Sequence, residues 1–578
     1  MHDTADLPPL SHKRWCLRAT PEPCAVASLN RKLGIHPTLA TLLVQRGITS
    51  YDAAKQYFRP ELTELHDPFI MKDMRKAIAR LGDAITRKEK ILIYGDYDVD
   101  GVTSVALLYS GLRHLGARLD FYIPDRQQEG YGISFSAIQW AARKGFTLIM
   151  SLDCGIRDFD SVQHAQASGL DVIVSDHHEP GEQLPSAYAI INPKQAVCPY
   201  PTQDLSGCGV GFKILQALSQ QSRFSSLADV LFGYLDLVAI SIACDIVPIS
   251  DENRILAYHG LRRINTDPRP GIKALMRFGR SHQHWGISQL AFDLGPRINA
   301  AGRVGHAHVA VRLLLAEHLE EAIALAEQLD QHNVTRRDID AKTTQEAFAM
   351  IQRNPSHGHA KTTVLFQPTW HKGVVGIVAA RCVAQYYRPT IILTEANGKA
   401  TGSARSVAGF NVYQALTACA DLLEQYGGHA FAAGVTLPLA HLEAFQQRFE
   451  SIVARSITQE LLTPSQVVDL PLNFSAINFS FYNILRQMSP FGMGNLEAVF
   501  VTTNVLAKRY AILKDTHLKL HVYQQESPRI LEAIGFGLAH YVHIVANHKP
   551  FRMAYTMQEN SYRGRSTLQL NIKDIQAL

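Results

Sequence analysis

Residues 91–101 read ILIYGDYDVDG, an apolar run that ends in aspartates at alternate positions. The run predicts a short buried strand, and the segment after it, TSVALLYSGLRHLG (103–116), has the apolar content of a buried helix. The alternation continues, with strands predicted at 117–124, 146–153 and 171–178 and helices at 136–145, 159–170 and 212–220. Strands separated by helices of about ten residues are typical of a parallel sheet with helices on both faces. We therefore predict an α/β fold whose ligands bind beyond the carboxyl ends of the strands.

The length of the chain and changes of pattern along it predict several domains. A chain of 578 residues is too long for one hydrophobic core. Residues 310–353 are charged and helical, a second α/β pattern follows, and beyond about 464 apolar and polar residues alternate as in a small antiparallel barrel, such as an OB-fold. The predicted segments are an N-terminal extension (1–50), a parallel-sheet catalytic domain (51–260), a helical connector (261–355), a smaller α/β domain (356–460) and an OB-like barrel (461–578).

Composition excludes some classes of protein without naming a function. The net charge of +5 permits a polyanionic partner but does not require one. The eight cysteines form no C-x-x-C pair, which argues against a zinc ribbon or a disulfide framework. Because there is no uninterrupted apolar run of about 18 residues and no apolar segment near the N-terminus, we expect a cytoplasmic protein.

Three aspartates, Asp96, Asp98 and Asp100, form the first of four polar clusters at predicted strand ends. Alternate side chains of an extended segment point the same way, so the three carboxylates are expected to converge. Converging like charges are costly unless a cation lies between them, and carboxylate oxygens favour Mg²⁺ or Mn²⁺. A Ca²⁺ loop or a solvated acidic turn is the alternative, although the segment lacks the EF-hand pattern.

The other three clusters are weaker when each is taken alone. Asp153 ends a strand, as a helix-capping carboxylate also does. Asp176, His177 and His178 end the next strand; adjacent histidines in an extended segment point to opposite sides, so one is expected to bind metal and the other to face phosphate, unless both are surface residues. Asp245 ends the apolar run LDLVAISIAC (235–244) and is either a cap or a paired or metal-bound charge. Together the clusters supply enough ligands for two divalent ions, the usual apparatus of phosphoester hydrolysis.

The four clusters, in this order, resemble motifs I to IV of the DHH phosphoesterase superfamily. That superfamily includes inorganic pyrophosphatases, oligoribonucleases, cyclic-dinucleotide phosphodiesterases and the RecJ exonucleases. Other segments resemble the RecJ family within it, namely FDLGPRINAAGR (292–303), WHKGVVGIVAAR (370–381), GSARS (402–406) and GGHAFAAG (427–434). The chain departs from the family pattern at Leu496 and Ala498, where the family usually carries prolines, which puts the rigidity of the linker before the barrel in doubt.

The resemblance implies an enzyme that degrades single-stranded DNA from 5′ to 3′ and releases 5′-mononucleotides in DNA repair and recombination. It implies two ions, Mn²⁺ or Mg²⁺, with Asp153 bridging them, His178 contacting the scissile phosphate and Asp176 orienting a histidine. The implied metal ligands are Asp96, Asp98, Asp100, Asp153, His177 and Asp245. The implied catalytic residues are Asp98, Asp100, Asp153, His177, His178 and Asp245.

The resemblance also implies residues that bind the DNA. A guanidinium, hydroxyls and flexible glycine backbone suit phosphate, although a surface salt bridge for Arg126 and a tight turn at a helix start for the glycines are alternatives. The candidates are Arg126, Arg297, Asn299, Arg303, Ser403, Arg405, Gly427, Gly428 and His429. In the barrel, contacts from Lys508, Arg509, Lys514 and Lys519 suit a strand of any sequence.

Two other functions compete with this one. A DHH phosphodiesterase acting on short RNA or cyclic dinucleotides would use the same metals, although the barrel and the 297–303 segment favour a long polymer. A non-catalytic single-stranded-DNA-binding scaffold would have lost ligands, whereas here each expected position is filled. A helicase, a single-strand-binding protein and a monomeric state are expected from the resemblance alone.

Overall fold

The structure is a computed structural model that describes residues 13–578 except 281, 283, 354–359 and 563. The chain forms two compact units. Among the described residues, those in 59–337 and 489–496 make up one, called here the parallel-sheet unit, and those in 13–58, 338–488 and 497–578 make up the other, the mixed-sheet unit.

The helices and strands are given in chain order. The helices are α1 (Pro23–Leu33), α2 (Pro37–Gln45), α3 (Tyr51–Phe58), α4 (Met74–Thr86), α5 (Val99–His114), α6 (Phe135–Arg143), α7 (Phe159–Ala167), α8 (Gly207–Ser219), α9 (Ala228–Leu231), α10 (Leu235–Asp245), α11 (Asp251–Thr266), α12 (Pro270–Met276), α13 (Ile287–Gln289), α14 (Gly295–Val304), α15 (His308–Leu315), α16 (Leu319–Arg353), α17 (Val375–Tyr386), α18 (Val412–Thr417), α19 (Leu442–Ser456), α20 (Phe479–Gln487) and α21 (Val542–Val545). The strands are β1 (Arg14–Leu17), β2 (Lys90–Gly95), β3 (Arg118–Tyr122), β4 (Leu148–Leu152), β5 (Asp171–Ser175), β6 (Ala189–Ile191), β7 (Thr363–Phe366), β8 (Thr390–Ala396), β9 (Lys399–Arg405), β10 (Gln425–Gly428), β11 (Ala432–Pro438), β12 (Ser465–Val468), β13 (Leu470–Pro471), β14 (Phe500–Leu513), β15 (His517–Tyr523), β16 (Leu531–Gly535), β17 (Phe551–Tyr562) and β18 (Arg565–Ala577).

The parallel-sheet unit is built on a five-stranded sheet in the order β3-β2-β4-β5-β6, with each pair parallel. The residues of β4 are all buried, and those of β2 and β5 are buried except at the first residue, as expected for strands covered on both faces. Helices α5, α8 and α10 contribute to a large apolar core beside the sheet. The predicted α/β fold is therefore confirmed. Strands β2, β4 and β5 end directly before the first three of the four polar clusters, at Asp96, Asp153 and Asp176.

The mixed-sheet unit contains two larger sheets. The first has the order β10-β11-β9-β8-β7, in which only β7 and β8 are parallel. The second has the order β13-β14-β15-β16-β18-β17, and β14 also pairs with β17. That additional pairing closes β14 to β18 into a ring, which removes the open sheet edges and forms the predicted OB-like barrel.

Residues outside these sheets connect and complete the units. Helix α16 runs without a break from 319 to 353, in the segment that the sequence predicts as a helical connector. Within the predicted N-terminal extension (1–50), the described residues contain β1, α1 and α2, and β1 pairs in parallel with β12.

In the part of the chain that the structure describes, one helical stretch, Ser222–Asp245, is long and apolar enough by composition to cross a membrane. It consists of short helical pieces, and 61% of its apolar window is buried inside the protein. Its last piece, α10, is buried from Leu235 to Ala243 in the core of the parallel-sheet unit, which accounts for its composition.

Candidate metal centre

The aspartate loop joins β2 to α5 and brings three carboxylates to the carboxyl end of the sheet. Asp96 is buried in the loop, Asp98 caps α5 by accepting the Gly101 N–H at 3.1 Å, and Asp100 lies in the first turn of α5. The loop is not an extended segment, so the predicted reason for their convergence was wrong. The turn into the helix aims them instead, and Gly101 permits it, since a Cβ there would lie 2.4 Å from the carbonyl oxygen of Asp96.

Asp100 is held by donors from two other helices. The N–H groups of Gly207 and Cys208, at the amino end of α8, donate to Asp100 Oδ2 and Oδ1 at 2.6 and 2.8 Å. The hydroxyl of Ser241 on α10 lies 2.7 Å from Oδ1. A helix amino end is a favourable place for a carboxylate, so this buried charge is compensated locally.

Asp153 and His177 lie at the centre of the site. Asp153 follows β4 with a φ of +61°, and His177 follows β5; both are buried. His177 Nε2 lies 3.1 Å from Asp153 Oδ1 and 3.6 Å from both Asp100 Oδ2 and Asp245 Oδ2. One imidazole nitrogen therefore faces carboxylates from three different sequence clusters.

Asp176 is fully buried and orients its neighbours. Its Oδ1 accepts the N–H groups of His177 at 2.7 Å and His178 at 3.1 Å, and it lies 2.8 Å from His178 Nδ1. Its Oδ2 accepts the N–H of Ile156 at 3.0 Å. This turn keeps both histidines near Asp153, so they do not point to opposite sides as predicted from an extended segment.

His178 is half-exposed and is contacted by Tyr131. The Tyr131 hydroxyl lies 3.2 Å from His178 Nδ1 and donates to the carbonyl of Asp153 at 3.1 Å. Burial disfavours the charged imidazole, but the hydrogen bond and charge of Asp176 outweigh it and raise the pKa of His178 to about 9. His178 is therefore a cationic group at the mouth of the site.

The carboxylates of the centre raise one another's pKa values. Burial, followed by the charge of Asp100, raises the pKa of Asp153 well above its usual range and that of Asp245 to about 8. Burial, followed by the charge of Asp98, raises the pKa of Asp96. Burial lowers the pKa of His177, which favours the neutral, metal-binding form.

The donor set fits hard divalent cations. Asp96 Oδ1, Asp153 Oδ1 and His177 Nε2 are buried without a hydrogen-bond partner among the described residues. Their ligand atoms belong to three groups, each within 4.8 Å: Asp96, Asp98 and Asp153; Asp100, His177 and Asp245; and Asp153, His177 and His178. Buried carboxylate oxygens together with a neutral imidazole nitrogen are the donors expected for Mn²⁺ or Mg²⁺.

Three predicted DNA-binding residues, Arg126, Asn299 and Arg303, lie in the same unit as the site. The Arg126 guanidinium lies 4.7 Å from the ring centre of Tyr97 in the aspartate loop. Asn299 is half-buried on α14, and the Arg303 carbonyl accepts from Gln127 at 3.4 Å. Helix α14 approaches the loop closely at Gly302, where a Cβ would lie 2.8 Å from the carbonyl oxygen of Tyr97.

Arg297 does not have the surroundings expected of a phosphate ligand. Its Nε donates to Asp330 at 2.8 Å, and its Nη1 and Nη2 donate to the carbonyls of Asp293 and Phe278. Only 11% of its side chain is exposed. The guanidinium instead braces the π-helical turn 290–294 against α16, and we no longer assign it to DNA.

The remaining candidates lie in the mixed-sheet unit. Arg405 and Ser403 are on β9, with Arg405 Nη1 donating to Ser403 Oγ at 2.5 Å. Both face the amino end of α17, since a Cβ at Gly376 would lie 2.9 Å from Arg405 Nη2 and 3.2 Å from Ser403 Oγ. Hydroxyl, guanidinium and helix amino end together form an anion-binding arrangement.

Gly427, Gly428 and His429 lie at the hairpin between β10 and β11, not at a helix start. Gly428 has a φ of +145°, and a Cβ there would lie 2.3 Å from the carbonyl oxygen of Ala432, so this position requires glycine. Gly427 has open space around its Cα, which leaves its backbone accessible.

Comparisons with known proteins identify the family. Family models match at 90–242 (DHH family, N-terminal domain), 359–455 (DHHA1 domain) and 468–574 (RecJ OB domain). The single-stranded-DNA-specific exonuclease RecJ of Bacillus subtilis is 38% identical over 98% of this chain and 71% of its own length, and that of Escherichia coli is 34% identical over 93% and 96%. The chain belongs to the RecJ family. A crystal structure of RecJ from Thermus thermophilus in complex with Mn²⁺ matches with a TM-score of 0.83 and 28% identity, over 98% of this chain and 80% of that one.

The RecJ resemblance inferred from the sequence motifs is thus confirmed, but sequence reasoning missed contacts within the RecJ site. Tyr131, Ser241 and the amino end of α8 touch the centre without belonging to an acidic cluster. Of these contacts, only that of Tyr131 could have been suspected from the sequence, because Tyr131 lies in the same loop as Arg126. Ser241 lies inside an apolar run and resembles a core residue in sequence.

Proposed function

We propose that this chain degrades single-stranded DNA from the 5′ end by two-metal hydrolysis and releases 5′-mononucleotides. The observation that carries the proposal is the convergence of buried carboxylates and an imidazole around Asp153, with acceptor atoms that receive no hydrogen bond from the described residues. Membership of the RecJ family supports single-stranded DNA as the substrate.

The proposed ligands form two sets that share a carboxylate. Asp96, Asp98 and Asp153 would hold one ion, and Asp100, His177 and Asp245 the other. Asp153 is the bridging candidate, because it groups with Asp96 and Asp98 while its Oδ1 lies 3.1 Å from Nε2 of His177 in the other set. Two such ions would activate a water molecule and would stabilise negative charge on the phosphate and the leaving group.

His178 would contact the scissile phosphate. Its raised pKa keeps the ring cationic, and Asp176 fixes the ring orientation through Nδ1, which leaves Nε2 to donate to an anion. Arg126, Asn299 and Arg303 would hold the DNA backbone near this point. Contacts to phosphate and sugar position a strand without reading its sequence, as a general exonuclease requires.

The 5′ end of the strand would be held by Ser403 and Arg405 at the amino end of α17. A terminal phosphate carries more charge than an internal one and suits this arrangement. The hairpin at Gly427, Gly428 and His429 would supply further backbone contacts. The barrel residues Lys508, Arg509, Lys514 and Lys519 would extend the DNA track.

The proposed cellular setting follows from this substrate. A 5′ nuclease acting in repair and recombination needs opened strands, so we expect a helicase and a single-strand-binding protein as partners. We also expect a monomer that acts in the cytoplasm, where bacterial DNA is found.

End-labelled oligonucleotides test the proposal. A single-stranded oligonucleotide labelled at either end is incubated with Mn²⁺ or Mg²⁺, with EDTA as the control. Immediate release of the 5′ label as a mononucleotide, with a shortening ladder from the 3′ label, is expected. Release from the 3′ end, or cleavage of only very short fragments, would contradict the assigned polarity or substrate.

A further inference from the structure

A buried hydroxyl pair connects α8 and α10 to the metal centre. Ser241 Oγ lies 2.7 Å from Asp100 Oδ1 and 2.6 Å from Ser206 Oγ, and both serines are fully buried. Ser206 caps α8 by accepting the N–H of Gly209 at 3.1 Å. Ser241 precedes Asp245 by one helical turn, so the pair joins two of the acidic clusters.

The direction of these hydrogen bonds is fixed by what each group is able to donate. The Asp100 carboxylate, with three donors converging on it, accepts only, so the single hydroxyl proton of Ser241 is donated to Asp100. Ser206 must then donate to Ser241, while the Gly209 N–H donates to Ser206. The result is a one-way relay that runs from the amino end of α8 to Asp100 Oδ1.

The relay leaves one oxygen of Asp100 for a metal. Oδ1 accepts from both Cys208 N–H and Ser241, which occupies its two lone pairs. Among the described residues, Oδ2 accepts from Gly207 N–H alone, and it is the oxygen 3.6 Å from His177 Nε2.

We propose that Ser241, backed by Ser206, is a positioning residue that commits Asp100 to bind metal through Oδ2 alone and thereby favours Mn²⁺ and Mg²⁺ over Ca²⁺. Ca²⁺ takes six to eight oxygen ligands and accepts bidentate carboxylates, whereas Mg²⁺ demands near-octahedral geometry from single oxygens. Without the Ser241 hydroxyl, Asp100 Oδ1 regains a lone pair and the carboxylate loses its fixed orientation. This inference rests on the proposed metal-dependent function.

Ser104 provides a matched control. It is fully buried on α5, one turn after Asp100, and its Oγ has no hydrogen-bond partner among the described residues. Ser104→Ala therefore deletes a buried hydroxyl of the same size on the helix that carries Asp100, without removing a donor from a ligand.

The test measures metal binding directly. Metal-free full-length protein is titrated with Mn²⁺ by electron paramagnetic resonance, and Ca²⁺ is then added as competitor. Ser241→Ala is expected to weaken Mn²⁺ binding about 10-fold, as is usual for partners of metal ligands, and to weaken Ca²⁺ binding less, while Ser104→Ala stays within about twofold of the parent. The thermal midpoint in EDTA is recorded for each variant, since a merely structural role would lower it and leave the Mn²⁺ to Ca²⁺ ratio unchanged.

The inference is overturned if Ser241→Ala has the same Mn²⁺ affinity as Ser104→Ala and the same ratio of Mn²⁺ to Ca²⁺ affinity. If Ser241→Ala does not fold, Ser206→Ala is measured in its place, because it breaks the relay one step earlier. Ser206→Ala is expected to lose more Mn²⁺ affinity than Ser104→Ala. Equal Mn²⁺ affinities of these two variants overturn the inference. A parent protein that binds no Mn²⁺ would instead contradict the proposed function itself, which separates the two failures.

Discussion

Gly207 donates its N–H to Asp100 Oδ2 at 2.6 Å, and a Cβ on Gly207 would lie 3.0 Å from that same oxygen. The helix amino end can approach the metal centre so closely only because the residue there has no side chain. The same Cβ would lie 2.9 Å from the Cβ of Asp153.

The Gly207→Ala variant is therefore expected to fold but to displace two proposed ligands. Exonuclease activity should fall about 100-fold, because a shift of about 1 Å in a reacting group has an effect of that size. Gly211→Ala on the same helix is the control, since its Cβ would meet only ordinary contacts at 3.6 Å and beyond. If Gly207→Ala retains the activity of the parent, as Gly211→Ala should, the prediction is wrong.

Asp153→Asn is expected to raise stability without metal while abolishing metal binding. Asn tolerates the positive φ of this position, and it cannot ionise, so it avoids the cost of burying a carboxyl group whose pKa the neighbouring carboxylates raise. In EDTA the thermal midpoint should rise by about 1–3 °C, and the further rise that Mn²⁺ gives the parent should disappear. Asp160→Asn, at an exposed helix position, should show neither effect. Calorimetry with and without Mn²⁺ measures both, and a midpoint below that of the parent in EDTA would count against charge crowding.

Arg405→Ala is expected to discriminate between 5′ ends. Loss of a charge-assisted hydrogen bond should raise KM for 5′-phosphorylated single strands about tenfold. KM for the 5′-hydroxyl form of the same oligonucleotide should change little, which makes that substrate an internal control. Equal effects on both substrates would mean that Arg405 supports the fold and does not bind the terminal phosphate.

We expect Asp158 to make a pH-dependent contribution to the free energy of unfolding. Burial raises the pKa of Asp158 to about 6, despite the N–H of Ile133 at 2.7 Å. A carboxyl group whose pKa is higher in the folded state than in the unfolded chain destabilises the fold once it ionises. Its cost is absent below about pH 4, grows between about pH 4 and 6, and reaches a constant value of roughly 3 kcal/mol above that range.

Asp158→Asn removes this charge and keeps an oxygen acceptor for Ile133. The variant should be more stable than the parent at pH 7.5, with a difference that shrinks towards zero at pH 4. Urea unfolding of both proteins at each pH measures the difference. A constant difference across that range would assign the effect to packing instead of ionisation.

Trp15→Ala tests how the N-terminal strand is held. Trp15 Nε1 donates to the buried carboxylate of Asp574 at 2.6 Å, and Asp574 also accepts from the Tyr541 hydroxyl at 2.5 Å. Removing the indole leaves a buried charge short of one donor, with an expected cost of about 2 kcal/mol. Faster hydrogen exchange in β1, β12 and β18, with β2 and β4 unchanged as an internal control, is the expected result. Uniform exchange rates in variant and parent would contradict it.

The sequence was sufficient to predict the α/β fold, the barrel and the acidic clusters, because each depends on local periodicity and on the rule that strand ends meet at one edge. It was not sufficient to predict how the ligands are aimed. Asp98 and Asp100 converge because α5 begins at this point of the chain. His177 and His178 both lie near Asp153 because their N–H groups donate to Asp176. These geometries depend on single hydrogen bonds that periodicity does not encode.

Contacts between residues far apart in the sequence account for the other features of the site that the sequence did not predict. Ser241 meets Asp100 from 141 residues away, and Arg297 is occupied by Asp330 from 33 residues away. A serine in an apolar run and an arginine in a basic motif look alike in sequence whether they serve the fold or the site.

The pairing of β1 with β12 imposes an order on how the protein is made. Arg14 pairs with Ser465, about 450 residues later in the chain. At ribosomal speeds of roughly 5–20 residues per second, β1 emerges tens of seconds before the strand that it joins. Strand β1 is thus paired only after β12 has been made, and a nascent chain stalled before β12 carries an unpaired strand exposed to chaperones and proteases.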